Sequence, residues 1–158
     1  MVSDTQKKIL QKIVHTLRGN NIPFQVSGGL AAIAYGAKRP LFDLDIDVNK
    51  RDIHKVRELF KDYIVDDFYN LQDKNFDIWL LSLRIDGITV DMTQAENSYY
   101  LGKDGTRTRM DADLSKAKII NIEGIEVPVE DKEELISYKK ITARDTDLDD
   151  IRQISRNH

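Results

Sequence analysis

The chain has 158 residues, 41% of them hydrophobic and 32% charged, and its 24 basic and 27 acidic residues leave a net charge of −3. That length suits one domain, residues 1–158, able to bury a core without covalent staples. The near balance of charge excludes a broad basic nucleic-acid footprint. The lack of cysteine excludes a disulfide framework and a thiolate metal site or nucleophile.

Taken in order, Ser3 to about Leu17 has the spacing of a helix, with Ile9, Leu10, Ile13, Val14 and Leu17 on one face and Ser3 with Gln6 as a capping box. Phe24 to Val26 follows as a short strand, Ser27-Gly28-Gly29 turns the chain, and Leu30 to Tyr35 forms a short helix that stops at Gly36. A strand from about Phe42 to Val48 comes next, then a helix capped by Asp52 and running through Phe60. Phe76 to Ile85, Asp86-Gly87 and Ile88 to Met92 read as a hairpin. Gln94 to Asp113 is polar, with loop signals at Gly102 and Gly105 and too little periodicity to assign. Lys116 to Ile122 and Ile125 to Val129 suggest a second hairpin, with Pro128 placing its second strand near an edge. Asp131 and Glu134 open a helix through about Ala143, and Asp147 to Ile154 is the last helix. The fold class is α/β (α+β): a mixed sheet with helices at both ends. No apolar run approaches the roughly 20 residues that span a bilayer. The N-terminal MVSDTQKK lacks the apolar stretch of a signal peptide, so a cytoplasmic protein with no membrane partner is expected.

Two features carry chemistry. The first is Asp43-Leu44-Asp45-Ile46-Asp47-Val48. Side chains alternate along a strand, so Leu44, Ile46 and Val48 face a core while three aspartates crowd the other face. Close like charges repel unless a cation or a retained proton relieves them. A hard divalent ion with oxygen ligands is the natural partner. A calcium loop is rejected, because its sixth and twelfth positions would be Val48 and His54 instead of Gly and Glu. The second feature is the Ser27-Gly28-Gly29 turn between a strand and a helix start, where backbone N–H groups can hold a phosphate. Asp91, on the return arm of the first hairpin, completes a three-carboxylate cage if that hairpin lies beside the aspartate strand. Such a cage suits two Mg²⁺ ions, and Asp91 is also placed to act as a general base. Trp79, Tyr99 and Tyr100 are candidates for stacking on a base or acceptor, the two tyrosines better placed in their polar loop. His15, His54 and His158 share no metal-ligand spacing.

Together these residues resemble the polymerase beta-type nucleotidyltransferase superfamily. In that pattern a hydrophobic residue and Gly-Gly or Gly-Ser precede Asp-h-Asp-h, and a third carboxylate sits on a later strand. Here Val26-Ser27-Gly28-Gly29 is followed after thirteen residues by Asp43-Leu44-Asp45-Ile46 and later by Asp91. The gap makes Asp43 and Asp45 the metal pair and leaves Asp47 as an extra carboxylate. Arg39, four residues before Asp43, echoes an R-x-x-x-D-h-D form. Lys139, Arg144, Asp147, Asp150 and Ile151 look like a K-x-x-x-x-R-x-x-D-x-x-D-I tail. The outline is similar to stand-alone antibiotic nucleotidyltransferases, such as lincosamide-modifying enzymes, and to abortive-infection toxin nucleotidyltransferases.

The resemblance implies a nucleotidyltransferase-like mixed sheet with flanking helices and a two-metal transfer of an NMP, AMP first, from an NTP to an acceptor hydroxyl. Ser27, Gly28 and Gly29 would hold the triphosphate, with Arg39 and Lys139 as further phosphate contacts. Asp43, Asp45 and Asp91 would hold two Mg²⁺ ions. The acceptor stays open among a small molecule, a protein and an RNA end, and so does a homodimer. Alternatives are a non-catalytic nucleotide- or partner-binding regulator and a toxin–antitoxin component. Arg144 with Asp147 reads equally as an i,i+3 ion pair, and Asp149-Asp150 as a solvated surface run.

Overall fold

The computed structural model describes residues 2–156. Helix α1 (Asp4–Gly19) begins where Ser3 and Gln6 close the expected capping box: Ser3 Oγ accepts from Gln6 N at 3.1 Å, and Gln6 Oε1 accepts from Ser3 N at 2.8 Å. Its apolar stripe, Ile9, Leu10, Ile13, Val14 and Leu17, is buried. The chain then runs through β1 (Phe24–Ser27), α2 (Gly28–Ala34), β2 (Leu44–Val48), α3 (Ile53–Leu59), β3 (Ile64–Gln72), β4 (Phe76–Ile85), β5 (Ile88–Gln94), β6 (Tyr99–Leu101), β7 (Arg107–Arg109), β8 (Lys118–Ile122), β9 (Ile125–Val129), α4 (Lys132–Thr142) and α5 (Asp145–Arg156). Short 3₁₀ turns precede α3 and β3 and follow β7.

The strands form one mixed sheet in the order β8, β9, β1, β2, β5, β4. Strand β3 pairs with one edge of β4, while β6 continues along the edge that β4 shares with β5 and carries β7 outward. The β4–β5 hairpin turns at Asp86 (φ 48°) and Gly87 (φ 79°), the left-handed pair that a two-residue turn demands. Its return arm β5 lies parallel to β2, with Asp45 opposite Asp91. The hairpin therefore sits beside the aspartate strand, as the cage required.

Binary patterning explains the two faces. Leu44, Ile46 and Val48 are wholly buried on the core side, with Leu81, Leu83, Val90 and Met92 on neighbouring strands. Asp45 and Asp47 point to the other face, and Asp43 stands one residue before the strand instead of within it. Two regions differ from the sequence expectation. The unassigned Gln94–Asp113 stretch holds the short strands β6 and β7. Strand β3 had no clear sequence signal: its alternation is broken by register shifts between Ile64 and Asp66 and between Asp66 and Tyr69.

Candidate active site

The strand registers line up one row of side chains across the sheet. Ser27 on β1 faces Asp45 on β2, Asp45 faces Asp91 on β5, and Asp91 faces Ser82 on β4. Partners in register project from the same face, so two carboxylates and two hydroxyls share one line. Ser82 Oγ donates to Asp91 Oδ1 at 2.7 Å, which fixes the rotamer of that carboxylate. Asp47 lies one pleat away, where its Oδ1 accepts from Ser27 Oγ at 3.0 Å and its Oδ2 from Gln25 Nε2 at 2.8 Å. The extra aspartate thus braces the serine of the glycine turn.

Glycine is required where the turn meets this row. Gly28 has φ +58°, and a Cβ there would overlap Asp45 Oδ2 and lie 3.0 Å from its Cγ. A Cβ on Gly29 would lie 2.8 Å from a guanidinium nitrogen of Arg39. The bare backbone of the turn is therefore flanked by an acid on one side and a fixed cation on the other.

The acidic groups carry an unrelieved electrostatic cost. Burial, then the charges of Asp91, Asp47 and Asp43, push Asp45 up to about 8, while Lys139 pulls the other way. Burial likewise raises Asp91, and its hydrogen bond from Ser82 opposes that. Burial lifts Asp47 to about 6, its hydrogen bonds from Gln25 and Ser27 pulling it down. Among the described residues no group of three His, Asp or Glu side chains is already arranged to hold a metal ion. The donor set still fits one: Asp43, Asp45 and Asp91 offer hard oxygen ligands, and a divalent cation would offset the burial and repulsion that push Asp45 up.

The late helices add a buried ionic network. Lys139 Nζ donates to Asp150 Oδ2 at 3.0 Å and to Asp147 Oδ1 at 3.4 Å. Arg39 grips Asp150 with Nε and a terminal nitrogen at 2.8 and 3.0 Å. Arg144 grips Asp147 at 2.8 and 3.1 Å, and Thr142 Oγ1 donates to the same carboxylate at 2.6 Å. The i,i+3 pairing of Arg144 with Asp147 is present, but Asp150 is wholly buried. Reading Asp149-Asp150 as a solvated run is wrong for Asp150, because its partners come from α4 and from the loop before β2. Arg39 and Lys139 thus face the cavity with their charged heads already oriented.

All eight sequence-predicted residues, Ser27, Gly28, Gly29, Arg39, Asp43, Asp45, Asp91 and Lys139, line one cavity of about 340 Å³. Leu71, Ile78 and Leu80 give it an apolar wall, exposed Phe42 borders it, and Tyr100 stacks on Tyr138 at 5.0 Å. Tyr100 therefore reaches the cavity, from a strand instead of a loop. Tyr99 lies under Arg107, whose guanidinium carbon is 3.4 Å from the ring centre. Trp79 belongs to the opposite sheet face, where it stacks on Phe68 at 5.4 Å. His158 lies outside the described residues.

Residues 9–154 match the family model described as aminoglycoside-2''-adenylyltransferase. The chain belongs to this family. It is therefore a transferase of the nucleotidyltransferase class, and three solved structures share its fold. A proposed nucleotidyltransferase from Thermotoga maritima is 21% identical with a TM-score of 0.74, over 100% of this chain and 97% of that one. ANT(2'')-Ia, solved with adenylyl-2''-tobramycin, is 17% identical with a TM-score of 0.66, over 95% and 87% of the two chains. The lincosamide antibiotic adenylyltransferase LnuA, solved with lincomycin, is 18% identical with a TM-score of 0.65, over 99% of each chain. No curated protein sequence matches the chain. As in the sequence pattern of the wider superfamily, the glycine turn of this family member abuts its aspartate strand. Ser82 and Glu130 were not foreseen, since only the three-dimensional pairing of β4 with β5 and of β9 with β1 brings them to the site.

Proposed function

We propose that this protein is a Mg²⁺-dependent adenylyltransferase that moves AMP from ATP to a hydroxyl of a small-molecule acceptor. The row Ser27, Asp45, Asp91 beside the bare backbone of Gly28 supports this reading best. Backbone N–H groups of Ser27-Gly28-Gly29 would cradle the triphosphate, with Arg39 alongside Gly29 as a fixed positive charge. Asp91, oriented by Ser82 and raised by burial, is placed to take the proton of the acceptor hydroxyl. That oxygen bonds to the α-phosphorus as the bond to the β-phosphate oxygen breaks, and pyrophosphate leaves. Mg²⁺ bound by Asp43, Asp45 and Asp91 would neutralise charge on the α-phosphate and the departing pyrophosphate.

The cavity of about 340 Å³ lies within the range for small-molecule sites. Six carboxyl side chains line it against three basic ones, and that surplus favours a cationic acceptor over an RNA end. ANT(2'')-Ia with adenylyl-2''-tobramycin and LnuA with lincomycin set the precedent for such acceptors.

Thermal shift with each of the four NTPs, with and without Mg²⁺, tests the donor site, and tobramycin and lincomycin are the first acceptors to assay. Wild type should be stabilised by ATP only with Mg²⁺, and Asp43→Asn or Asp45→Asn should abolish transfer while the fold is kept. Asp47→Asn, which can still bond Ser27 and Gln25, should lose far less, whereas Asp47→Ala should weaken nucleotide binding. Transfer that survives Asp45→Asn would refute the site, and an equal loss in Asp47→Asn would shift the metal pair.

A further inference from the structure

Among the described residues four buried side-chain oxygens lack a hydrogen-bond partner, on Gln25, Asp52, Glu130 and Glu134. Glu130 alone of these lines the cavity. Its main chain is held at both ends: its N donates to Val26 O at 3.0 Å, and its O accepts from Tyr35 Oη at 2.6 Å. Val129 pairs with Val26, so Glu130 extends the site row by one strand, beside Ser27. The residue is only 5% exposed, yet its carboxyl oxygen Oε2 is buried with no hydrogen-bond partner. Lys139, whose charge favours the ionised Glu130, is committed to Asp147 and Asp150. A rigid backbone carrying an unsatisfied buried polar group is costly to keep without purpose.

Resting on the adenylyltransferase reading above, we propose that Glu130 is a recognition group for an N–H donor of a bound substrate, either the amino group of the nucleobase or an ammonium of the acceptor. Anions are excluded by the neighbouring carboxylates of Asp45 and Asp47. Burial, then the charges of Asp47 and Glu134, hold Glu130 well above the usual carboxylate range. Its Oε2 is free to accept from an amino group, and an ammonium would draw the carboxylate into a charge-assisted pair. The rigid Tyr100–Tyr138 stack supplies flat apolar surface in the same cavity.

Calorimetric titration of wild type, Glu130→Gln and Glu130→Leu decides it, with two ligand pairs. ATP is compared with purine riboside triphosphate, which lacks the 6-amino group. Tobramycin is compared with its N-acetylated form. Removing the matched group should cost wild type about tenfold in affinity and Glu130→Leu almost nothing, as expected for one buried hydrogen bond. Coupling in the ATP pair assigns Glu130 to the nucleobase, and coupling in the tobramycin pair assigns it to the acceptor. Wild type that binds Mg²⁺-ATP but shows coupling in neither pair overturns this inference. Wild type that binds no NTP overturns the underlying adenylyltransferase reading instead. Both variants should fold, because each removes an unpaired buried acid, and a raised melting temperature would confirm that.

Discussion

Replacing Gly28 by alanine separates the two demands that the site makes on that residue. At φ +58° an alanine pays about 1–2 kcal/mol for the left-handed conformation. For a chain of 158 residues that amounts to a fall of roughly 2–8 °C in melting temperature. Its Cβ would also overlap Asp45 Oδ2, and Asp45 Cγ is 3.0 Å away. The aspartate can rotate aside at little cost in stability, but it then leaves the row shared with Ser27 and Asp91. A misplacement of this order costs about a hundredfold in rate at a site that works by positioning. Gly87→Ala is the control: its φ is +79°, and nothing lies within 4 Å of the added carbon. Thermal melts and Mg²⁺-ATP turnover on both variants should show similar losses of stability but loss of turnover in Gly28→Ala only. Wild-type turnover in Gly28→Ala would refute the claim that this contact sets Asp45.

Two further perturbations probe the charges. In Mg²⁺-free buffer the Asp45 carboxyl titrates near 3.8 unfolded and at about 8 folded, so the folded state holds the extra proton between those values, and stability should fall as pH rises from about 4 to about 8. Asp45→Asn should flatten much of that slope and melt higher than wild type at the alkaline end; an unchanged slope would show that Asp45 is not the group responsible. Lys139→Met leaves Asp150 to Arg39 and Asp147 to Arg144 and Thr142, yet strips one cation from a buried network, so it should destabilise by about 3 kcal/mol in denaturant unfolding; a neutral result would mean the two arginines suffice.

What the sequence disclosed depended on whether a signal was local. The Asp86-Gly87 turn and the alternation around Asp45 each state their geometry within a few residues, and both appear as expected. Strand β3 was hidden because its edge position tolerates exposed Val65 and the polar pair Asp66-Asp67, and its bulges break the period of two. Asp150 looked solvated because charge beside charge normally is. Its burial comes from Arg39, more than a hundred residues earlier, and from Lys139 on the preceding helix. Glu130 carried no signal, since its significance lies in the partner it lacks.

These charges also give the cavity a direction. Arg39, Lys139 and Arg144 outnumber Asp147 and Asp150 by one, so the buried network presents a net positive field, with Arg39 beside the Gly28-Gly29 backbone. Asp43 and Asp91 present the opposite sign, and Asp45 joins them once it gives up its proton. A polyphosphate is therefore drawn toward the arginine side and repelled from the aspartate side until a cation arrives there. Metal binding and nucleotide binding are coupled by this layout, because each removes a repulsion that opposes the other. An enzyme so arranged should bind Mg²⁺ weakly alone and ATP weakly alone, yet bind both together well. Equal ATP affinity with and without Mg²⁺ would place the triphosphate elsewhere.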